Sequence, residues 1–502
     1  MANVFSPNRT SKTAREFRPW YGSNINEETS YNLRDSQNTT KKLATETPVG
    51  KAIIDRVTQF TLGQGLSPQS APEMAVLGCS EEEYARFTSE AESFFRYITD
   101  TKDFDYYRRN TFAQLQRIAM RNILISGDVL VHKVYLSKWN NYRPVIQLIS
   151  GSSVYNNGND MDSKNCVAGI QLDAKGRETG YWIAQTDENL HDTYSSKLFQ
   201  KYNTQGVEEF FLVALNTLEA NQGRGIPYLT AVRDAILDLS TYNSATVQKA
   251  LVQSLFTAFI EHKEEQTAPS SIHPTLANLA QQNAKMREEE ERVSTGFSLA
   301  SGNIVDLAPG ETVHMAESQT AATGIKDYVE MQLDLIGAAV NVPREALLAS
   351  FQSSYSASKG SLAVAEKGFA TFRKDIADNL CQPIWEMVID YGIRMGEITA
   401  PGYLEGSERV RKAWLSATWI GPGAISLNPV QEVNAYVSAI NAGLCTHEMA
   451  VRSLYGKDFD EVAERLGKEV AKLKEAIPTE ENAEENPAEE EKEDDRNAET
   501  EE

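Results

Sequence analysis

The chain has 502 residues, of which 41% are hydrophobic and 24% charged, so it is long enough for two to four domains with a sizeable core. No stretch approaches the ~20 apolar residues of a membrane-spanning helix, and the polar, basic segment Met1 to Trp20 lacks the apolar core of a signal peptide. The sequence predicts a protein that is made and used in the cytoplasm, or in a particle assembled there, with no membrane partner.

The net charge of −22 is unevenly distributed. The segment Pro478 to Glu502 contains thirteen acidic residues against Lys492 and Arg496, a net of −11, which leaves −11 for the rest of the chain. Few apolar residues occur in this segment, so we expect a disordered acidic tail. An acidic body argues against a protein that grips nucleic acid tightly, although it is compatible with one that DNA slides past.

Signatures of chemistry are missing from the sequence. Cys79, Cys166, Cys381 and Cys445 lie far apart without CxxC spacing, which favours buried free thiols over disulfides or zinc. The six histidines form no HxxxH or HxH pair, and there is no phosphate-binding GxxxxGK[ST] loop and no GxSxG motif. We therefore predict a non-enzymatic protein without a metal or cofactor.

The N-terminal part of the chain is predicted to be mostly helical. Residues 1–49 are polar and favour an extended arm, followed by amphipathic helices over 51–66, 81–98 and 107–126. The basic–aromatic cluster Tyr106-Tyr107-Arg108-Arg109 fits the start of the third helix, with arginines reaching along its surface. The alternative is that these side chains stack on a nucleic acid.

A segment rich in β-forming residues follows these helices. The predicted strands cover residues 128–137, 145–149, 167–172, 181–184 and 210–215. Short polar turns separate the first two strands and the next two, which indicates antiparallel hairpins. Helices followed by hairpins predict a mixed α/β domain.

A long helix is predicted after Pro227, because the next proline is Pro269 and no glycine lies between them. A helix of roughly 35 residues would span about 50 Å. From Ala250 to Ile260 the segment is apolar nearly all round, which indicates burial against neighbouring subunits. The candidate interface residues are Leu251, Leu255, Phe256 and Phe259.

A compact α/β insert is expected over residues 264–312. It contains a polar helix at 276–292 and short strands at 297–299 and 304–307, and it ends at the turn Pro309-Gly310. A second helix, Ile325 to Val342, follows and stops at Pro343. The insert is thus predicted to lie between two helices.

The C-terminal part begins with a small polar loop, Phe351 to Ser358, which leads into a long helix to Gly396 with a kink near Pro383. The segment around Trp414 and Trp419 is predicted to be extended. Two further helices follow: one begins at Asn428-Pro429 and ends at Gly443, and the other covers 459–475 behind the capping pair Asp458 and Glu461. The small polar side chains of the loop 351–358 could donate weak, transient hydrogen bonds to phosphates. The alternative is that the loop only links two helices.

Together these segments resemble the portal proteins of lambda-type tailed phages, over roughly residues 45–470. The resemblance is carried, in chain order, by Asp162-Ser163-Lys164-Asn165-Cys166 leading into Gly169-Ile170-Gln171, Gly223-Arg224-Gly225 before the long helix, Leu307-Ala308-Pro309-Gly310-Glu311, Ser354-Tyr355-Ser356-Ala357-Ser358, Trp419-Ile420-Gly421, Val430-Gln431-Glu432-Val433 and Asn441-Ala442-Gly443-Leu444-Cys445-Thr446. Where the family usually has Arg after its YSxx pattern, this chain has Lys359. The positive charge is kept, but a forked bidentate contact is lost.

The resemblance implies an α+β fold with a mixed α/β wing, paired stem helices, a small α/β clip, a long spine helix and an α-helical crown. The implied divisions are an N-terminal arm (1–49), wing (50–225), first stem helix (226–263), clip (264–312), second stem helix (313–348), channel loop (349–359), spine helix and wing return (360–424), crown (425–477) and the disordered acidic tail (478–502). The channel-loop residues would be Gln352, Ser353, Ser354, Tyr355, Ser356, Ser358 and Lys359.

The resemblance further implies a homo-oligomeric, dodecameric ring at one capsid vertex of the virion, assembled in the host cytoplasm. Its bore would carry double-stranded DNA during packaging and ejection. The implied partners are the terminase large subunit, head–tail connector proteins, and the major capsid and scaffolding proteins. Two other interpretations are a different virion ring, such as a head–tail adaptor, and a DNA-processing enzyme. Adaptors are usually shorter, and the enzyme would need catalytic signatures that the sequence lacks.

Overall fold

The fold combines helices with antiparallel sheets. The computed structural model describes residues 25–138, 141–156, 162–163, 165–186, 192–255, 259–262, 311–314, 325–350, 355–423 and 429–476. The chain divides into two units: the first comprises 1–37, 54–228 and 351–502, and the second comprises 38–53 and 229–350. The predicted mixture of helix and sheet is confirmed. The division into wing, stem, clip and crown stays a prediction.

The elements up to residue 214 are as follows. They are α1 (Ile25–Glu46), α2 (Pro48–Leu62), β1 (Ser67–Ser70), α3 (Met74–Leu77), α4 (Glu81–Thr99), α5 (Phe112–Ser126), β2 (Asp128–Lys138), β3 (Asn141–Ser150), β4 (Cys166–Val167), β5 (Ile170–Leu172), β6 (Glu178–Thr186), β7 (Asp192–Gln200) and β8 (Phe210–Ala214).

The remaining elements begin after a short 3₁₀ turn at Tyr228–Val232. They are α6 (Arg233–Leu255), β9 (Phe259–His262), β10 (Glu311–His314), α7 (Ile325–Ala339), α8 (Arg344–Leu348), α9 (Tyr355–Ile376), α10 (Gln382–Met395), α11 (Glu408–Trp414), β11 (Ala417–Ile420), α12 (Pro429–Asn441), α13 (His447–Tyr455) and α14 (Phe459–Ala476).

The predicted extended arm is wrong over its described part, because residues 25–46 form helix α1. Among the residues of α1 whose burial the structure describes, the buried ones are mainly polar, and the large apolar side chains in this set are Leu33 and Leu43. Gln37 shows how a polar face is buried: its amide nitrogen donates to the carbonyl of Ser126 at 2.7 Å. A helix that packs through such contacts has little of the apolar periodicity that identifies helices in a sequence.

The predicted helix over 81–98 is confirmed by α4, whose first turn is closed by a capping box between Ser80 and Glu83. The helix predicted from 107 instead begins at Phe112, so Tyr106 to Arg109 are not a helix start. The buried carboxylate of Asp105 accepts hydrogen bonds from the backbone N–H groups of Tyr107, Arg109 and Asn110 at 3.0–3.1 Å. These bonds satisfy the local donors in a turn, which competes with the helix.

The first predicted hairpin is confirmed, and the second is confirmed in part: β5 pairs antiparallel with β6, but the predicted strand 167–172 is divided into β4 and β5, which pair with each other. Strands β2 and β3 pair antiparallel from Val129–Ser150 to Lys138–Asn141, and β8 joins the other edge of β2, giving the order β3-β2-β8. Strands β4 to β7 form a second antiparallel sheet in sequence order. A buried cluster of Leu130, Val154, Ile170, Tyr181, Ile183 and Phe210 contains side chains from both sheets.

An aromatic core lies elsewhere in the first unit. The rings of Phe95 and Trp385 are 5.1 Å apart, and Trp419 and Phe112 lie within 6.4 Å of each other. Trp419 is extended as predicted, since it belongs to β11, which pairs antiparallel with β1. Trp414 is not extended: it ends helix α11 and packs on Phe87 at 4.6 Å between ring centroids.

Arg224 forms a buried ion pair with Asp128, at the start of β2. Its Nε and one terminal nitrogen donate to the two carboxylate oxygens at 2.7 and 2.9 Å. The other three N–H groups donate to the carbonyls of Gly151, Val154 and Ala168 at 2.6–2.9 Å. All five donors of the guanidinium are therefore satisfied, as burial of a charge requires.

The surroundings of this pair are too tight for side chains on two glycines. A Cβ on Gly151 would overlap the Asp128 carboxylate, and one on Gly225 would overlap the backbone carbonyl of Gly127. Gly225 also donates its N–H to Asp128 at 3.0 Å. The sequence Gly223-Arg224-Gly225 thus has a structural explanation: small residues let the backbone approach the buried carboxylate.

In the second unit, α6 and α7 lie against each other, with the rings of Tyr242 and Tyr328 4.5 Å apart. The predicted helix through Ile260 is wrong, because α6 is described only to Leu255 and residues 259–262 form β9. Strand β9 pairs antiparallel with β10, from His262–Glu311 to Phe259–His314. Backbone pairing overrides the helical pattern here. The predicted elements at 276–292, 297–299 and 304–307 lie outside the described residues, as does the acidic tail.

The predicted long helix is present as α9 and α10, joined by a π-helical turn at Ala377–Cys381. Pro383 is the second residue after this turn and has no N–H for the helical ladder, and a locally widened turn accommodates this loss. The helix ends at Gly396, whose φ of 79° is left-handed. The helices predicted from Pro429 and over 459–475 are confirmed by α12 and α14.

The cysteines are free thiols, as predicted. Cys381 is buried, and burial raises the pKa of its thiol. Cys79, Cys166 and Cys445 are only half-buried, so the prediction of burial is wrong for these three. In the part of the chain that the structure describes, no helix combines the length and apolar character needed to cross a membrane.

Replacing Arg224 with methionine leaves the buried carboxylate of Asp128 with one hydrogen-bond partner, the backbone N–H of Gly225. We expect Arg224→Met to lower the free energy of unfolding by about 3–5 kcal/mol, because the Asp128 charge stays buried without its cation. Urea titration followed by tryptophan fluorescence measures the change. The matched control is Arg177→Met, which removes the exposed ion pair to Asp173 and should have little effect. Equal losses in the two variants would contradict the role of the buried pair.

Candidate channel segment and subunit contacts

Four of the residues predicted to line a channel occupy the start of α9. Tyr355, Ser356, Ser358 and Lys359 are helical, so the loop prediction is wrong for them. No glycine or proline interrupts the helix at these positions, and serine is tolerated in a helix when its side chain does not disrupt the ladder. Gln352, Ser353 and Ser354 lie outside the described residues.

The packing of α9 determines which of these side chains is accessible. Ser358, Leu362, Ala365 and Phe369 are buried at helical spacing and form its inner face. Ser356 and Lys359 are exposed. The helix therefore presents a hydroxyl group and an ammonium group to solvent within its first turns.

The position of α9 is set by its contact with α2. The guanidinium of Arg373 donates to the backbone carbonyls of Thr61 and Phe60, each at 3.1 Å. These carbonyls lie in the last turn of α2, where they have no partner in the helix itself. The rings of Phe60 and Phe369 pack 5.2 Å apart beside them. The Arg373 guanidinium, bound to the end of α2, and the contact between the two phenyl rings thus fix the position of α9 against α2.

Lys359 lies near a carboxylate of the C-terminal helices. Its Nζ is 3.8 Å from Glu432 in the first turn of α12, and the Lys359 side chain is 47% exposed. An ion pair this exposed contributes at most about 1 kcal/mol. The ammonium group can therefore exchange this carboxylate for a phosphate without a large loss of stability.

The start of α9 can make weak electrostatic contacts with an anion. Lys359 carries a full charge, and the first turn of a helix has a partial positive charge. Within the described ranges, no group of His, Cys, Asp and Glu side chains is arranged to hold a metal ion. The contact that Lys359 offers to an anion is electrostatic.

The predicted interface residues do not share one helix. Leu251 is 57% exposed on α6, and Leu255 is the last described residue of that helix. Phe259 belongs to strand β9, so its assignment to the helix is corrected. Phe256 lies outside the described residues.

The structure adds exposed apolar side chains that the sequence reasoning missed. On α6 these are Leu237 and Val247, and on α7 they are Met331 and Leu335. The sequence pattern that could have identified them is a spacing of four residues within each helix. This spacing places Val247 with Leu251, and Met331 with Leu335, on one helix face. Large apolar side chains exposed together on adjacent helices indicate a protein contact.

Comparison with known proteins identifies the family. Residues 11–373 match the family described as phage portal protein, lambda family. Portal protein B of Escherichia phage lambda is 26% identical over 407 residues, covering 78% of this chain and 75% of that protein. The portal protein of Escherichia phage N15 is 24% identical over 408 residues, with the same coverage of each chain.

Two solved structures with similarity are chains from necks of gene transfer agent (GTA) particles. A chain from the neck of the native particle, computed with C12 symmetry, has a TM-score of 0.43 at 12% identity and covers 83% of this chain and 93% of its own. A chain from the neck of the empty particle, computed with C6 symmetry, has a TM-score of 0.44 at 13% identity, with 87% and 94% covered.

The family assignment rests on the sequence, since these TM-scores are below 0.5. The match to the family extends over more than half of the chain. The protein is thus a portal protein of a tailed phage or phage-like particle. It belongs to the lambda family of phage portal proteins.

Proposed function

We propose that this protein forms a dodecameric ring at one vertex of the capsid, and that double-stranded DNA passes through the ring during packaging and ejection. The observation that carries the proposal is the match of residues 11–373 to the lambda portal family. The exposed apolar side chains of α6 and α7 support association of subunits. The exposed Lys359 at the start of α9 supports a weak contact with DNA.

Within this ring, the domains are assigned from the family resemblance. Residues 50–225 form the wing, 226–263 and 313–348 the stem helices, and 264–312 the clip. Residues 349–359 correspond to the channel loop of the family, 360–424 form the spine helix and wing return, and 425–477 form the crown. The pairing of β9 with β10 supports this division, because it brings the two ends of the 263–310 segment together.

The mechanism proposed for DNA passage is physical. A protein with a net charge of −22 repels phosphates over most of its surface, so DNA does not adhere along the bore. A ring of Lys359 side chains would guide the DNA through contacts that are individually weak. ATP hydrolysis for packaging would belong to a separate motor, the terminase large subunit, which docks on the ring. The head–tail connector would also dock there, and capsid and scaffolding proteins would surround it.

Ring formation should depend on Leu251 and Leu255, the interface residues that we propose for α6. We expect Leu251→Asp and Leu255→Asp to yield folded subunits that fail to form rings, because burying the new charge at a subunit contact is unfavourable. Light scattering after size-exclusion chromatography measures the mass. Leu218→Asp is the control, since Leu218 is 69% exposed and lies outside these helices. Rings of normal mass in both α6 variants would refute this placement of the contact.

The channel role should depend on Lys359 and on the residues before α9. We expect Lys359→Glu, and separately replacement of residues 352–354 by Gly-Ser-Gly, to leave rings intact while shortening the DNA packaged or retained per capsid. Each change is repeated in every subunit, so weak contacts are lost together. The length of DNA extracted from assembled heads is the measurement.

The control for charge reversal is Lys412→Glu, at an exposed lysine of α11 whose side chain is 73% exposed. It should package DNA of normal length. Normal length in both channel variants would mean that the segment is only a linker. A loss of rings in Lys359→Glu would instead assign this residue to assembly.

A further inference from the structure

The Tyr–Arg turn, residues 106–109, lies between α4 and α5 and carries four exposed side chains: Tyr106, Tyr107, Arg108 and Arg109. The buried Asp105 fixes this turn, because its carboxylate accepts hydrogen bonds from three backbone N–H groups and from the side-chain amide of Asn110 at 3.0 Å. The N–H of Arg108 donates to the carbonyl of Asp105 at 2.8 Å, and the N–H of Tyr106 donates to the carbonyl of Ile146 in β3 at 2.9 Å. Each backbone N–H from 106 to 110 therefore has a partner, and the turn is preorganised for binding.

The backbone of Arg108 is left-handed, with a φ of 54°. Glycine adopts this conformation without strain, whereas a residue with a Cβ is disfavoured there. The backbone hydrogen bond of this residue would form equally well with glycine, so the fold of the turn does not require arginine. An exposed residue in a strained conformation, with a side chain that the fold does not need, points to a contact with another molecule.

The guanidinium groups of the turn are available for such a contact. Neither Arg108 nor Arg109 forms an ion pair or a side-chain hydrogen bond with another residue that the structure describes. The two carboxylates that precede them in the sequence are already occupied: Asp105 binds the donors of the turn, and Asp103 lies 3.9 Å from Arg143. The hydroxyl of Tyr107 accepts a hydrogen bond from a side-chain amide at 3.0 Å and keeps its own O–H for donation. The turn thus offers donors and positive charge to an anion.

The surrounding surface indicates which anion fits. Among the residues from 97 to 142 whose burial the structure describes, the large hydrophobic side chains that are exposed are all tyrosines: Tyr97, Tyr106, Tyr107, Tyr135 and Tyr142. The exposed faces of α6 and α7, in contrast, carry aliphatic side chains such as Leu237 and Leu335. Arginine and tyrosine side chains donate to phosphate oxygens in DNA contacts that carry no sequence information, and the guanidinium fork matches the geometry of a phosphate. The composition therefore favours a nucleic-acid backbone over an apolar protein partner.

We propose that the Tyr–Arg turn binds the phosphate backbone of double-stranded DNA without regard to base sequence. Arg108 and Arg109 each contact a phosphate, and the tyrosine hydroxyls donate to neighbouring phosphate oxygens. The choice of DNA as the source of the phosphates rests on the proposed function, but the contact is separate from Lys359, which belongs to α9. One turn binds weakly, and the copies in a ring act together on one duplex.

The test is binding of a short labelled duplex to the full chain, measured by fluorescence anisotropy over a series of salt concentrations. The variant Arg108→Gly with Arg109→Gln removes both charges, and glycine accepts the φ of 54°, so the turn should keep its fold. We expect about tenfold weaker binding, and a slope of log Kd against log salt that is smaller by roughly 2 for each turn in contact, because two phosphate contacts are lost.

The matched control is Arg86→Gln with Arg177→Gln. It removes the same number of charges from exposed arginines that are already paired, with Glu90 and Asp173, so duplex binding should change little. A further variant, Arg108→Lys with Arg109→Lys, keeps both charges but lacks the guanidinium fork. It should retain most of the salt dependence while binding less tightly than the unaltered chain.

Each outcome decides the proposal. Equal losses in the Gly/Gln variant and in the matched control would overturn it, because net charge alone would then explain the loss. Unchanged duplex binding in the Gly/Gln variant would overturn it as well, and if the same rings no longer enter capsids, the turn contacts a protein. Should urea titration show the Gly/Gln variant to be unfolded, Arg109→Gln alone takes its place, with the same criteria.

Two further measurements separate this proposal from the proposed function. All variants are also made with Lys359→Glu, so that a contact at the start of α9 does not mask the turn. The comparison uses chains in the same assembly state. Failure of the unaltered chain to form rings would therefore refute the proposed function, while the difference in duplex binding still decides the role of the turn.

Discussion

The buried pair of Arg224 and Asp128 is the contact on which the first unit depends most. One guanidinium joins the start of β2 to the carbonyls of Gly151 and Val154 in the connection between β3 and β4, and to that of Ala168 in the turn between β4 and β5. Burying the two charges is costly, and only a complete set of hydrogen bonds offsets that cost. The arrangement of the two sheets relative to the segment that leads into the following helices is thereby specified.

The candidate channel segment shows a different balance of forces. The inner face of α9 is fixed by buried side chains and by Arg373, whereas Lys359 forms a half-exposed ion pair with Glu432. A rigid helix carrying a weakly held charge suits contact with a polymer that has to keep moving. Strong, buried contacts position the segment, and weak, exposed contacts are left for the DNA proposed to pass it.

Several elements could be predicted because their signals are local. The α4 helix has a capping box and an amphipathic pattern, and the β2–β3 hairpin has alternating residues around a polar turn. The sequence predicts a loop at the start of the candidate channel segment, because the serines at 353–358 are typical of a linker. In the structure Ser358 is buried on the inner face of a helix, and this tertiary contact has no signature in the neighbouring residues.

The sequence by itself determined the family, the mixture of helix and antiparallel sheet, and the order of most elements, since these depend on local propensity and spacing. Tertiary structure decided what long-range contacts control. Helix α1 buries a polar face through partners such as the Ser126 carbonyl, residues 259–262 pair with 311–314 instead of continuing a helix, and Arg224 finds a carboxylate 96 residues away. In each case the free energy comes from hydrogen bonds between distant segments, and these bonds have no signature in the local sequence.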